Sequence, residues 1–150
     1  MNRLTDISNM VESLSRIYHR LRKEINGQLI NEGLSMSKMK ILHLITTGKT
    51  SATDIKNYMG FSSRTVVTVL DALEKDEMLR RQQSFTDRRV KYVHITEKGR
   101  DKLRIAKDTH NIILNRMFAP ISDMQLQNFK EICNLLEMRQ KNNETRQDVT

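Results

Sequence analysis

Residues 58–100 read YMGFSSRTVVTVLDALEKDEMLRRQQSFTDRRVKYVHITEKGR, and this stretch decides the fold. Its early part has helical spacing. Val66, Val69, Leu70 and Leu73 share one face, and Arg64, Thr68, Asp71 and Lys75 point the other way. Ser62 is placed to start this helix and Phe61 to staple onto Val66, so it runs to about Lys75. The period then shortens. Leu79–Phe85 and Val90–Ile95 carry β-branched and aromatic residues around the polar turn Thr86-Asp87-Arg88-Arg89, the pattern of a hairpin. Thr96 follows as the cap of a further helix.

Upstream, the turn Tyr58-Met59-Gly60-Phe61 joins this helix to a short one that starts at the capping pattern Ser51-x-x-Asp54. Before that, Ser35 caps a helix through Met39, Ile41, Leu42 and Ile45 to Gly48, with Leu34 stapled onto Met39. The first segment has apolar residues at Ile7, Met10, Val11, Leu14, Ile17, Tyr18, Leu21, Ile25 and Leu29, one face of a long helix ending near Gly33. Downstream, Leu103, Ala106, His110, Ile113, Leu114 and Met117 form the stripe of a fifth helix, which Pro120 breaks. Ser122 and Gln125 make a second capping box, Ile121 staples onto Leu126, and a sixth helix follows through Phe129, Ile132, Cys133 and Leu136.

Four helices, a hairpin and two helices make a mainly α fold with a small β-hairpin wing (α+β), a winged helix-turn-helix in one chain of residues 1–150. The lobe is expected over 35–95, dimerisation helices over 1–33 and 96–141, and a frayed tail over 142–150. The outer helices carry more apolar surface than so small a lobe needs; Ile105 and Ile112, for instance, lie on a second side of the fifth helix. A second copy of the chain would cover it, although burial within one chain stays open.

The 26 Lys and Arg outnumber 18 Asp and Glu, giving a net charge of +8 and a pI near 9.8. That balance suits a polyanion, double-stranded DNA first. No apolar stretch approaches the roughly 18 residues of a spanning helix, and MNRLTDISNM lacks a signal-peptide core, so no membrane partner is expected. Cys133 is the only cysteine; no internal disulfide can form, and a cytoplasmic location is expected.

On the fourth helix the exposed N-terminal half is small, hydroxylated and basic: Ser63, Arg64, Thr65, Val67 and Thr68. Such a surface fits the major groove, where arginine reads guanine and valine meets a thymine methyl. Between Arg80 and Lys91 stand five basic residues and one acid, Asp87. Arg88 and Arg89 at a hairpin tip suit phosphate or the minor groove, with Lys91 beside them and Asp87 expected to pair with one arginine and aim the other.

The run from Leu70 to Arg100 resembles the MarR family of transcriptional regulators. The resemblance is carried by Leu73-Glu74 at the end of the recognition helix, Asp87-Arg88-Arg89 at the wing tip, and Ile95-Thr96-Glu97-Lys98-Gly99 leaving the wing. It implies a homodimer whose terminal helices interlock, with two winged helices on a near-palindromic operator and the wing in the minor groove. It further implies repression as the commoner mode, and a small, anionic aromatic effector held between the dimerisation helices and the lobe. Asp87 and Arg89 take the Asp-x-Arg positions. Two places depart from the pattern. Glu77 stands where the family has glycine, so the turn must differ or carry strain, and Thr65-Val66-Val67-Thr68-Val69 replaces the common Thr-Val-Thr-Arg-Leu.

Other classes find less support. The chain has no Gly-rich phosphate loop, nucleophile elbow or His-Glu-x-x-His, and its four histidines are scattered singly, so neither enzymatic chemistry nor a cofactor is expected. His110 and Cys133 could approach each other in a metal- or redox-responsive regulator of this fold. Both sit on apolar stripes, where a packed histidine and a buried, slow thiol are the commoner outcome, and no metal is expected. A winged helix serving only protein interaction is the other alternative.

Overall fold

The computed structural model describes residues 2–147, with side chains from 2 to 140. It divides into two compact units, Met1–Ile113 and Leu114–Thr150.

The first unit begins with α1 (Arg3–Leu29), capped by the Asn2 side chain on the Leu4 amide. A 3-10 turn, Ile30–Glu32, closes it at left-handed Gly33 (φ 69°). Only the last part of α1 meets the core, through Ile25 and Leu29. Asn26 Oδ1 accepts the Met36 amide at 2.8 Å, so α1 supplies a cap to the next helix, α2 (Met36–Thr46). Ser35 supplies the second, accepting from Lys38 N at 3.2 Å. Leu34 and Met39, expected as a staple, are both buried in one cluster.

Helices α3 (Ala52–Met59) and α4 (Ser63–Lys75) form the helix-turn-helix, each started by its expected serine. Ser51 accepts from Asp54 N at 3.0 Å and Ser62 from Thr65 N at 3.1 Å. The turn between them is Gly60, left-handed at φ 66°, with Phe61 packed against the core. Val66, Leu70 and Leu73 of α4 are buried, and Val69 is half-buried beside them.

Strands β1 (Leu79–Gln83) and β2 (Lys91–Ile95) pair antiparallel, Leu79 opposite Ile95 and Gln83 opposite Lys91. They are shorter than the expected 79–85 and 90–95. Side chains of Ser84 and Asp87 capture the loop amides, so the ladder ends at Gln83. Chain just before α3 extends the sheet: Ser51 bridges Tyr92, and Val93 N donates to the Thr50 carbonyl at 2.8 Å. Helix α5 (Glu97–Phe118) adds Leu103, Ala106 and Ile113 to the core that holds α2, α3, α4 and the wing base.

In the second unit, Ser122 and Gln125 form the full reciprocal box: Gln125 N donates to Ser122 Oγ at 3.2 Å, and Ser122 N to Gln125 Oε1 at 3.0 Å. Helix α6 (Asp123–Gln147) follows, continuing past the boundary at 142 where a frayed tail was expected; residues 148–150 lie outside the described ones. Its Met124, Phe129, Ile132, Leu135, Leu136 and Met138 are exposed. No described helix is long and apolar enough to cross a membrane.

Candidate nucleic-acid interface

Burying Val66, Leu70 and Leu73 turns the opposite face of α4 outward. Ser63, Arg64, Thr65 and Thr68 are exposed there, and Val67 is 48% exposed. Two of these side chains also serve the helix. Thr65 Oγ1 lies 2.9 Å from Ser62 Oγ at the cap, and the Thr68 hydroxyl donates to the Arg64 carbonyl at 2.9 Å. Arg64 has no ion pair among the described residues, so its guanidinium is available to a partner.

The wing tip is a loop tied mainly by its own side chains. Ser84 Oγ accepts the amides of Thr86 (3.2 Å) and Asp87 (3.3 Å). Gln83 Nε2 donates to the Arg88 carbonyl at 2.7 Å, and Ser84 N to the Val90 carbonyl at 2.8 Å. Asp87 does not take the expected role of pairing with an arginine side chain. Its Oδ1 accepts the Arg89 backbone amide at 2.9 Å, a two-residue Asx turn, because the tight tip brings that N–H within reach first. Arg88, Arg89 and Lys91 are exposed.

A third element joins helix and wing. Arg81 reaches back from β1 to Asp71 (2.7 Å) and Glu74 (3.5 Å) on α4. Arg81 is one of the five basic residues of the hairpin. Its charge is committed to α4 instead, and its side chain is only 24% exposed. That left the spacing of Asp71 and Glu74, three apart on one helical face, as the signal that was missed.

The joint between α4 and the wing accounts for the Thr-x-x-Gly motif. Glu77 is left-handed (φ 61°), so the turn keeps the geometry that a glycine would suit. Glu77 N donates to Glu74 O and Met78 N to Leu73 O, both at 2.9 Å, which is a Schellman closure. The Thr96 hydroxyl donates to the Glu77 carbonyl at 2.6 Å and accepts the Gly99 amide at 3.0 Å. Any Cβ at position 99 would collide with the Met78 carbonyl oxygen.

A cleft of about 600 Å³ lies in the first unit between α1, α2 and the end of α3. Tyr18, Tyr58 and Phe61 give it aromatic walls, and Arg22, Lys40 and His43 give it basic groups. His110 is half-buried, and so is Cys133, which was expected to be buried; the exposed apolar residues around it on α6 leave that face uncovered.

Over residues 34–91 the chain matches the MarR family. It is 30% identical over 115 residues to the HTH-type transcriptional regulator MhqR of Bacillus subtilis, across 76% of this chain and 79% of that protein. The chain belongs to the MarR family. Membership makes it a DNA-binding transcriptional regulator, with a recognition helix at α4 and a wing at β1–β2. Solved structures of transcriptional regulators match its fold over most of its length. The transcriptional regulator BldR from Sulfolobus solfataricus superposes with a TM-score of 0.82 at 24% identity, over 93% of this chain and 99% of that one. A MarR variant from E. coli complexed with operator DNA gives 0.78 at 12% identity, over 91% and 99%.

Proposed function

We propose that the chain is a repressor that binds a near-palindromic operator as a homodimer and leaves it when a small, anionic aromatic effector binds. One observation carries the DNA half: an outward α4 face of Ser63, Arg64, Thr65, Val67 and Thr68 braced through Arg81 and Asp71 to a basic wing. Arg64, Val67 and Thr68 read base edges in the major groove. Arg88, Arg89 and Lys91 hold phosphate and the minor groove, and Asp87 fixes the tip by holding the Arg89 amide. The operator complex of the E. coli MarR variant supports this reading.

Dimerisation is supported by α1. Leu4, Ile7, Met10, Val11, Leu14, Ile17 and Tyr18 are 39–72% exposed along its first two-thirds, a stripe that water would not leave bare on a monomer. The division of labour is then a DNA-binding lobe over 35–95 and dimerisation helices over 1–33 and 96–141. The cleft of Tyr18, Arg22, Lys40, His43, Tyr58 and Phe61 is the effector seat: aromatic walls for a ring, cations for a carboxylate. Because it touches both α1 and α2, a ligand there biases the spacing of two lobes against successive major grooves. The protein works in the cytoplasm and performs no catalysis.

The test is footprinting of genomic DNA with the purified protein at two salt concentrations. A protected site with two half-sites about one helical turn apart is expected, together with a steep loss of binding as salt rises. Benzoate, added as the simplest anionic aromatic probe, should release the wild type and fail to release Arg22→Ala. Binding that is indifferent to sequence, or no protection at all, would overturn the reading.

A further inference from the structure

Among the described residues, the most exposed large apolar side chain is Phe85, at 96%. It sits in the wing tip between Ser84 and Thr86, on the loop that presents Arg88 and Arg89. An isolated surface phenylalanine on a floppy loop would signify little. This loop is held by seven hydrogen bonds, three involving Ser84 Oγ and the others to Asp87 Oδ1 and the Arg88, Val90 and Asp87 carbonyls. The ring is therefore presented at a defined place, and nothing among the described residues covers it.

We propose that Phe85 is a DNA-contacting residue, the apolar point of the wing, packing against sugar faces and base edges in the minor groove while Arg88 and Arg89 engage the flanking phosphates. The proposal rests on the operator-binding reading and names a contact that reading lacks. Charge chooses the occupant. A bare ring beside Arg88, Arg89 and Lys91 fits a surface whose phosphates flank sugar walls and base steps into which an apolar side chain can wedge, as in a minor groove. The Arg81–Asp71 pair holds the wing to the recognition helix, so the ring and α4 approach one duplex together. Apolar side chains inserted there lodge most easily at flexible pyrimidine–purine steps, which gives the wing a preference it could not obtain from charge.

The experiment compares wild type, Phe85→Ala and Phe85→Leu for operator binding across a salt titration, with Arg88→Ala as the electrostatic reference. Phe85→Ala should weaken binding roughly tenfold, as the loss of one aromatic packing contact does. Its salt slope should match the wild type, because no charge is removed, whereas Arg88→Ala should lower the slope by about one unit. Phe85→Leu should recover most of the affinity, and thermal midpoints should agree because the ring packs against nothing in the free chain. Phe85→Ala binding within twofold of wild type overturns the proposal. So does a changed salt slope, which would mean a disordered tip, or a changed sedimentation coefficient, which would put the ring against a second copy. Retention on phosphatidylglycerol vesicles that Phe85→Ala abolishes would assign the ring to a lipid surface instead. Failure of the wild type itself to bind DNA would refute the operator reading and is distinguishable from all of these.

Discussion

Thr96 and Glu77 are joined by a 2.6 Å hydrogen bond from the threonine hydroxyl to the glutamate carbonyl, across a sequence separation of 19. The same hydroxyl oxygen accepts the Gly99 amide at 3.0 Å, so one side chain starts α5 and holds the end of α4. Recognition helix, wing and the following helix thus meet at one joint. The angle between α4 and the wing depends on it.

Gly99→Ala should be among the most damaging single changes. The added Cβ meets backbone, the Met78 carbonyl, and backbone cannot rotate aside as a side chain can. A cost of about 2–3 kcal/mol is expected, lowering the thermal midpoint by roughly 5–10 °C. Calorimetry checks it; a midpoint within a degree of wild type would mean that the joint is loose.

Glu77→Gly should act in the opposite direction. The left-handed φ of 61° strains any residue with a Cβ, and glycine relieves this while adding some entropy to the unfolded chain. The net gain should be about 0.5–1 kcal/mol by urea denaturation. Glu77→Ala retains the Cβ and should gain nothing, which separates backbone strain from loss of the carboxylate.

Arg81→Ala should weaken operator binding although the residue is committed to Asp71 and Glu74. Asp71→Ala should weaken it by the same route, and the double variant should lose little more than either single one. The pair is part-exposed, so its direct stability coupling should be only about 0.5–1 kcal/mol. Additive losses in binding would make Arg81 an independent DNA contact.

Arg64→Ala and Thr68→Ala should lose operator binding selectively. A cost of about 1–3 kcal/mol on the true site, with little change on scrambled duplex, marks base reading. Arg88→Ala and Arg89→Ala should weaken both duplexes alike and lower the salt slope by about one unit each. Asp87→Ala removes the acceptor of the Arg89 amide and should imitate the wing variants in affinity. Equal losses on both duplexes for the α4 variants would mean that this helix does not read sequence.

Sedimentation should find a dimer at micromolar concentration. Because Ile25 and Leu29 belong to the core of the lobe, removing residues 2–20 takes away the exposed stripe and spares both. The shortened chain should be monomeric or aggregate. A well-behaved monomer of the intact chain would refute the assignment of α1.

Much of this architecture was legible because its determinants are local. Ser35, Ser51 and Ser62 cap the helices they were expected to cap, and Ser122 with Gln125 closes a full box, since a hydroxyl reaches an amide only two or three residues away. The outward face of α4 follows equally from the spacing of Val66, Leu70 and Leu73. Contacts between distant segments left no such trace. The sequence could show that Glu77 stands where glycine is usual; only the folded chain shows that it accepts the left-handed turn, secured by Thr96. Likewise Arg81 reads as one more basic residue until β1 folds back and sets it 2.7 Å from Asp71. Asp87 shows the limit most closely: its neighbours are known from sequence, but whether it takes a guanidinium or a backbone amide depends on how tightly the loop closes. Capping and periodicity are written in near neighbours, whereas the partner of a long side chain is chosen by which distant backbone the fold brings within 3 Å of it.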